Sequence, residues 1–328
     1  MNWSNRRVLV TGAGGFIGSH LTEALVGLGT KVRAFVRYNS RGDVGLLSLL
    51  PAGKRAEVEI VAGDLRDQDA VVKACQGISH VFHLGALIAI PYSYIHPREV
   101  VETNVIGTLN ILMASRGQVE RVVHTSSSEV YGTARQVPIS EEHPLQGQSP
   151  YSASKIGADK LAESFSCSYD LPVAIIRPFN AYGPRQSARA VIPTIITQAL
   201  TQDQVRLGAL SPRRDFTYVE DTVDGFLRIA ESDKALGHVI NVGSNHEISI
   251  GDLAETIIRL VGRDIQLVTD EQRLRPERSE VRRLLADSHR AAEWLDWRPR
   301  TSLDEGLSKT IDWVAQHLDR FRADEYQV

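Results

Sequence analysis

Cysteine, clustered positive charge and long apolar stretches are all scarce in this chain, and each scarcity removes a class of protein. Two cysteines in 328 residues, Cys75 and Cys167, share no C-x-x-C or similar spacing. Neither a disulfide framework nor a metal site is therefore expected, and both read as buried small hydrophobes. No block of Lys and Arg occurs and the formal net charge is -3, so there is no basic field to draw in nucleic acid, and none is expected as a partner. No apolar run reaches the roughly 20 residues a membrane span needs. The polar start, Met1 to Arg7, lacks the order of a signal peptide, so the expected compartment is the cytoplasm, with no membrane partner. Repeats, low-complexity tracts and flexible linkers are missing too, which predicts closely packed lobes with a cleft between them.

What the chain does contain is ordinary for a soluble enzyme-sized protein: 42% hydrophobic and 23% charged residues, over a length that suits two lobes. Short β-branched runs at Arg7 to Thr11, Lys31 to Arg37, Val58 to Ala62, His80 to Leu84, Arg121 to Ser126 and Val173 to Arg177 read as strands. Between them, Ser19 to Leu28, Asp67 to Cys75, Glu102 to Arg116 and Ser152 to Tyr169 read as helices. Strands apolar on both faces, alternating with helices, predict an α/β fold: a doubly wound parallel sheet, the Rossmann arrangement. After Pro178 the rhythm loosens, with helices at Val191 to Thr201 and Ile250 to Val261, which predicts a smaller α/β substrate-binding lobe. Thr217 to Glu231 as a helix and His238 to Val242 as a strand return to the first lobe. The expected division is 1-178 with about 214-243, and 179-213 with 244-328. The charged tail Asp319 to Glu325 reads as a solvated helix end.

The first strand runs into Gly12-Ala13-Gly14-Gly15-Phe16-Ile17-Gly18. Gly12 permits the tight turn, Gly15 lets backbone approach a pyrophosphate, and Gly18 lets helix and strand pack, with the helix N-terminus facing the anion. This predicts a dinucleotide site. About 20 residues on, where an acid would take a ribose 2′-hydroxyl, stands Arg37. A guanidinium there, with Arg41 nearby, favours NADP over NAD; the bland alternative is a solvated surface arginine. Asp64, in Gly63-Asp64-Leu65, reads equally as an adenine contact or a helix cap.

Tyr151-x-x-x-Lys155 sets a phenol and an ammonium one helical turn apart on one face. A free phenol titrates near 10, so making it a base near neutrality takes about 4 kcal/mol of preference for the phenolate. Lys155 and an oxidised nicotinamide are suitable sources.

With Gly12-x-x-Gly15-x-x-Gly18, His83-Leu84-Gly85-Ala86, Thr103-Asn104-Val105, Ser126 to Gly132, Tyr151-x-x-x-Lys155, Arg177 to Arg185, Arg214 to Asp221 and Arg275-Pro276 in order, the sequence resembles the extended short-chain dehydrogenase/reductases of the nucleotide-sugar epimerase/dehydratase group. The resemblance implies a tightly held, regenerated NAD or NADP and a nucleotide-diphosphate sugar substrate. It implies a triad of Ser127, Tyr151 and Lys155, with Lys155 also holding the nicotinamide ribose. It places Gly12, Gly15, Phe16, Ile17, Gly18, Arg37, Asp64, Leu65, Leu84, Ala86 and Asn104 at the cofactor, and Ser127, Asn180, Arg185, Arg214 and Arg275 at the sugar nucleotide. A homodimer through the helices Glu102 to Arg116 and Ser152 to Tyr169 is expected by the same likeness.

Glu129, two residues past Ser127 at a strand's carboxyl end, is the candidate extra acid/base for a 4,6-dehydratase, which must remove the C5 proton and expel the C6 hydroxyl. Ser127-Ser128-Glu129 resembles the Thr-Ser-Glu of GDP-mannose 4,6-dehydratases and UDP-glucuronate decarboxylases; where dTDP-glucose 4,6-dehydratases carry Asp, Ser128 stands. Ala86 to Tyr94 and Asn180 to Arg189 resemble the dehydratases of legionaminic acid biosynthesis, implying an NDP-N-acetylglucosamine or related NDP-hexose. The alternatives are a 4-epimerase or C6 decarboxylase, or, outside enzymes, an NADP-sensing regulator. Tyr92, Ser93 and Tyr94 either line the sugar pocket or join the lobes, and His83 and His124 read as core histidines.

Overall fold

The computed structural model describes residues 2-321. In chain order its strands are β1 (Arg7–Thr11), β2 (Lys31–Arg37), β3 (Val58–Gly63), β4 (His80–His83), β5 (Arg121–Thr125), β6 (Val173–Pro178), β7 (Asn180–Tyr182), β8 (Gln204–Leu207), β9 (Arg213–Tyr218), β10 (Val239–Val242), β11 (Glu247–Ser249) and β12 (Gln266–Thr269). The helices are α1 (Phe16–Gly27), α2 (Ala52–Ala56), α3 (Gln68–Cys75), α4 (Ile90–Ile95), α5 (Pro97–Val101), α6 (Gly107–Ser115), α7 (Pro150–Tyr169), α8 (Val191–Thr201), α9 (Val219–Glu231), α10 (Ile250–Val261), α11 (His289–Leu295) and α12 (Leu303–Gln316).

Seven strands form one sheet in the order β10-β6-β5-β4-β1-β2-β3, and every pairing in it is parallel. The order reverses between β1 and β4, and in such sheets the crevice at that switch point is where ligands bind. Side-chain alternation sends Val8 and Val10 into one core with α1 and α9, and Leu9 into another with α3, α6 and α7. Both faces are thus covered, which is why these strands read as continuous apolar runs rather than alternating ones.

The second lobe holds a three-stranded sheet, β11-β9-β7, and a two-stranded one, β12-β8. Their apolar faces close over α8, α10 and α12 around Ile195, Ile196, Leu253, Ile257 and Leu307. Strands of three or four residues paired across a lobe, as β7, β8, β11 and β12 are, carry too little periodicity to show in the sequence. Thr217 and Tyr218 belong to β9, so the helix expected from Thr217 begins at Val219. The helix expected over Glu102 to Arg116 opens with a π turn, Glu102–Ile106, before α6. Cys167 is exposed rather than buried; it sits near the end of α7 on the solvent face, while Cys75 is buried. No described helix is long and apolar enough to cross a membrane. The tail reading reaches only Leu318–Arg320, a 3-10 turn; the rest of it lies outside the described residues.

Candidate active site

A cavity of about 870 Å³ opens above the carboxyl ends of the main-sheet strands, between the lobes. One end of its floor is the glycine turn. Gly12 has φ +68°, and a Cβ there would lie 2.8 Å from the Gly85 nitrogen; a Cβ on Gly18 would lie 2.2 Å from the Gly12 oxygen. Only glycine fits either position. Gly15 begins α1 with no side chain capping it, and Phe16, Ile17 and Gly18 line the cavity. Uncapped helix N–H groups beside an open cavity suit a pyrophosphate, so the residues present fit a dinucleotide.

At the cavity's centre the order Ser149-Pro150 starts α7 with a reciprocal Ser149/Ser152 cap, fixing Tyr151 and Lys155 on the inward face. Strand β5 ends at Thr125, and Ser127 caps the following turn by accepting from the Glu129 N–H at 3.2 Å. Ser127, Ser128, Glu129, Tyr151 and Lys155 all line the cavity. Burial, with Glu129 and Asp159 nearby, pushes the Tyr151 phenol up to about 12, and the neighbouring Ser127 hydroxyl offsets this only in part. Burial in the protein alone thus works against the phenolate. Burial lowers the Lys155 ammonium to about 8, partly offset by Asp159, and its Nζ donates to the Thr125 carbonyl.

Beneath the triad lies a buried polar network. The Asp159 carboxylate accepts from Ser126 Oγ at 2.6 Å and Arg177 Nη2 at 2.9 Å, and bonds His124 Nε2 at 3.1 Å. Arg177 Nη1 donates to the Tyr131 hydroxyl at 2.9 Å, which donates to Asn241 at 2.8 Å. Burial alone would raise the Asp159 carboxyl, but His124, Arg177 and Ser126 hold it down at about 2. His83 bonds Thr11 and Thr108 at 2.8 and 3.0 Å. Both histidines sit in the core, as read.

Of the other expected cofactor residues, Arg37, Leu84 and Ala86 line the cavity and three do not. Asn104 is buried with its carboxamide used up: it accepts from Leu87 N at 2.7 Å and donates to Leu87 O and Ser154 Oγ, both at 2.9 Å. It fastens the cavity-lining segment to α7 instead. Leu65 is buried, its Cδ1 filling the space a side chain on Gly85 would need. Asp64 is not the cap of α3, which Asp67 supplies, and its carboxylate pairs with Arg66 at 2.6 Å.

On the substrate side Asn180, Arg214 and Arg275 line the cavity. Arg185 does not; its guanidinium reaches Glu23 on α1 at 2.5 Å, tying the lobes together. Glu280, absent from the sequence reading, also lines the cavity and holds Arg214 at 2.9 Å and Arg275 at 3.8 Å. Arg189 lines it as well. Their only signal was proximity to the Arg275-Pro276 and Asn180 to Arg185 motifs. Tyr94 joins the lobes by bonding Ser279 at 2.6 Å, Tyr92 bonds Glu99 within the first lobe at 2.5 Å, and Ile88, Ala89, Ile90 and Pro91 face the cavity.

The family model described as GDP-mannose 4,6 dehydratase matches residues 9–310. The chain belongs to the extended short-chain dehydrogenase/reductase family of nucleotide-sugar epimerases and dehydratases. A UDP-glucose 4-epimerase of Mycolicibacterium smegmatis is 36% identical, covering 94% of this chain and 98% of its own. MoeE5, solved in complex with UDP-glucose and NAD, superposes with TM-score 0.84 at 34% identity, over 95% of this chain and 99% of that one. The dTDP-glucose 4,6-dehydratase DesIV from Streptomyces venezuelae, solved with NAD and TYD bound, has TM-score 0.85 at 27% identity, over 96% and 99%. The protein is therefore an enzyme of the nucleotide-sugar dehydratase/epimerase family.

Asp159→Asn strands Arg177 and is expected to cost about 3–5 kcal/mol above pH 5 in urea unfolding. A carboxyl depressed to about 2 in the fold contributes stability above its unfolded value and loses it as pH falls through the folded one. The difference from wild type should therefore shrink between pH 4 and pH 2; a constant difference would refute this account.

Proposed function

We propose that the enzyme is an NAD(P)-dependent 4,6-dehydratase acting on a nucleotide-diphosphate hexose or N-acetylhexosamine. The observation that carries this reading is Glu129: a third acid/base group lines the same cavity as Ser127 and Tyr151 and is close enough to act electrostatically on the Tyr151 phenol. A 4-epimerase needs no such group at C5. The resemblance of Ser127-Ser128-Glu129 to dehydratase patterns supports the same reading.

When bound, NAD(P) would supply the hydride acceptor and donor for C4 and C6 and the positive charge that favours a phenolate. Tyr151 takes the C4 hydroxyl proton, with Ser127 holding the same oxygen and Lys155 the nicotinamide ribose. The resulting ketone acidifies C5–H, and Glu129 removes that proton. Ser128 brings no second acid, so the protonated Glu129 gives that proton to the departing C6 oxygen, which leaves as water; once hydride is back at C6 a solvent-derived proton restores C5–H, and Tyr151 releases the proton it took from the C4 hydroxyl. Asn180, Arg214 and Arg275 hold the nucleotide diphosphate, for which Arg214 and Arg275 exchange their ion pairs with Glu280. Arg37 inclines the cofactor choice toward NADP. The residues 1-178 with about 214-243 serve the cofactor, and 179-213 with 244-328 the substrate.

A 4-epimerase is the second reading, favoured by the 36% identity to the Mycolicibacterium smegmatis enzyme. Mass spectrometry of products from a panel of UDP-, GDP-, CDP- and dTDP-sugars separates the two: dehydration loses water, whereas epimerisation leaves the mass unchanged. Loss of carbon dioxide would mark a decarboxylase. Glu129→Gln should keep nucleotide binding but lose solvent deuterium at C5 by at least 10²-fold, and normal turnover in that variant would sink the assignment. Tyr151→Phe should abolish the initial oxidation; substrate-dependent absorbance of reduced cofactor in it would contradict the role given to Tyr151.

A homodimer is proposed through α6 and α7. Ile106, Met113 and Tyr169 are exposed there, and apolar exposure of this kind marks contact surfaces. Light scattering at micromolar concentration should give twice the chain mass, and Ile106→Arg should halve it.

A further inference from the structure

Strand β2 ends on Arg37 beside the cavity, the place where a dinucleotide site meets the adenosine ribose. Read from sequence, that guanidinium is an open invitation to a 2′-phosphate. In the fold it already has an anion. Arg37 Nη2 lies 3.1 Å from Glu99 Oε1, on α5, and the other Glu99 oxygen accepts the Tyr92 hydroxyl at 2.5 Å. Tyr92 sits on α4, next to the cavity-lining Ile90 and Pro91.

The surrounding charges do not restore a cationic patch. Arg66 is engaged by Asp64 at 2.6 Å and lies 4.0 Å from Glu102, which also faces Arg98 at 3.7 Å. The exposed loop after β2 carries one cation and one anion, Arg41 and Asp43, and the Asp43 carboxylate accepts from Gly45 N at 2.7 Å. A 2′-phosphate would bring almost two negative charges into this balanced cluster and would compete with Glu99 for one planar fork of donors. A ribose hydroxyl carries no charge and meets no such competition.

We propose that Glu99 is a specificity-determining residue for the cofactor: by engaging Arg37 it weakens the hold on a ribose 2′-phosphate, so the site accepts NAD alongside NADP. This rests on the reading that the glycine turn binds NAD(P) with Arg37 at the ribose. The carboxylate that β2 lacks is thus supplied 62 residues along the chain, not as a ribose ligand but as a counter-ion to the residue that replaced it. Tyr92 positions that counter-ion from the segment lining the substrate cavity.

The test is calorimetric titration of the full-length protein, stripped of nucleotide, with NAD and with NADP. Glu99→Gln is expected to tighten NADP about fivefold while changing NAD less than twofold. The gain should shrink as salt rises. Arg37→Ala should weaken NADP, and adding Glu99→Gln to it should bring no further change, because the two act as one pair. An unchanged NADP-to-NAD ratio in Glu99→Gln, with Arg37→Ala shifting it, overturns the proposal but leaves the ribose reading standing. An equal gain with and without Arg37 also overturns it. If Arg37→Ala leaves the ratio unchanged, the ribose reading itself falls; if neither nucleotide binds wild type, the cofactor reading falls. Thermal unfolding without nucleotide checks the fold, and should Glu99→Gln unfold, the shorter Glu99→Asp, withdrawn from Arg37, takes its place under the same criteria.

Discussion

The buried ion pair between Asp159 and Arg177 holds the working edge of this enzyme in place. Asp159 is on α7, one turn beyond Lys155, and Arg177 is on β6; neither side chain is more than 2% exposed. Their pairing draws in Ser126 at the end of β5, Tyr131 in the turn behind Glu129, and Asn241 on β10. An unpaired charge at this depth costs several kcal/mol. Helix, two strands and catalytic turn are consequently registered to one another by a network that tolerates little displacement. Ser127, Tyr151 and Lys155, which come from two separate segments, inherit their mutual geometry from it.

The same low-dielectric floor sets the site's electrostatics. Burial raises the Tyr151 phenol and lowers the Lys155 ammonium, which is the reverse of a pair primed to react alone. On the substrate side Arg214 and Arg275 share one carboxylate, that of Glu280, in a cavity that Arg189 also lines. Arg37 with Glu99 follows the same pattern at the end of β2.

The large features were legible in the residues. Strand runs, the glycine turn and the Tyr151/Lys155 spacing are local signals, complete within ten residues or so, and backbone sterics enforce them wherever the chain goes. Seven parallel strands in doubly wound order follow from the alternation of such segments. Illegible were the short strands β8, β11 and β12, which exist because they pair across the smaller lobe, and the π turn at Glu102–Ile106. Asn104, Leu65 and Arg185 resembled ligand contacts in their motifs, yet each spends its side chain on the protein itself: on Leu87 and Ser154, on the space beside Gly85, and on Glu23.

The sequence by itself determined the family, the fold class and the chemical types at the reaction centre, because those depend on local geometry and on motifs carried intact along the chain. Tertiary structure alone decided which charges are free to meet a ligand. Glu99 and Arg37 are 62 residues apart, and Glu280 and Arg214 are 66 apart. Whether an arginine is a ligand, a strut or a neutralised pair depends on what folding brings within about 4 Å of it, and no spacing rule along the chain records that.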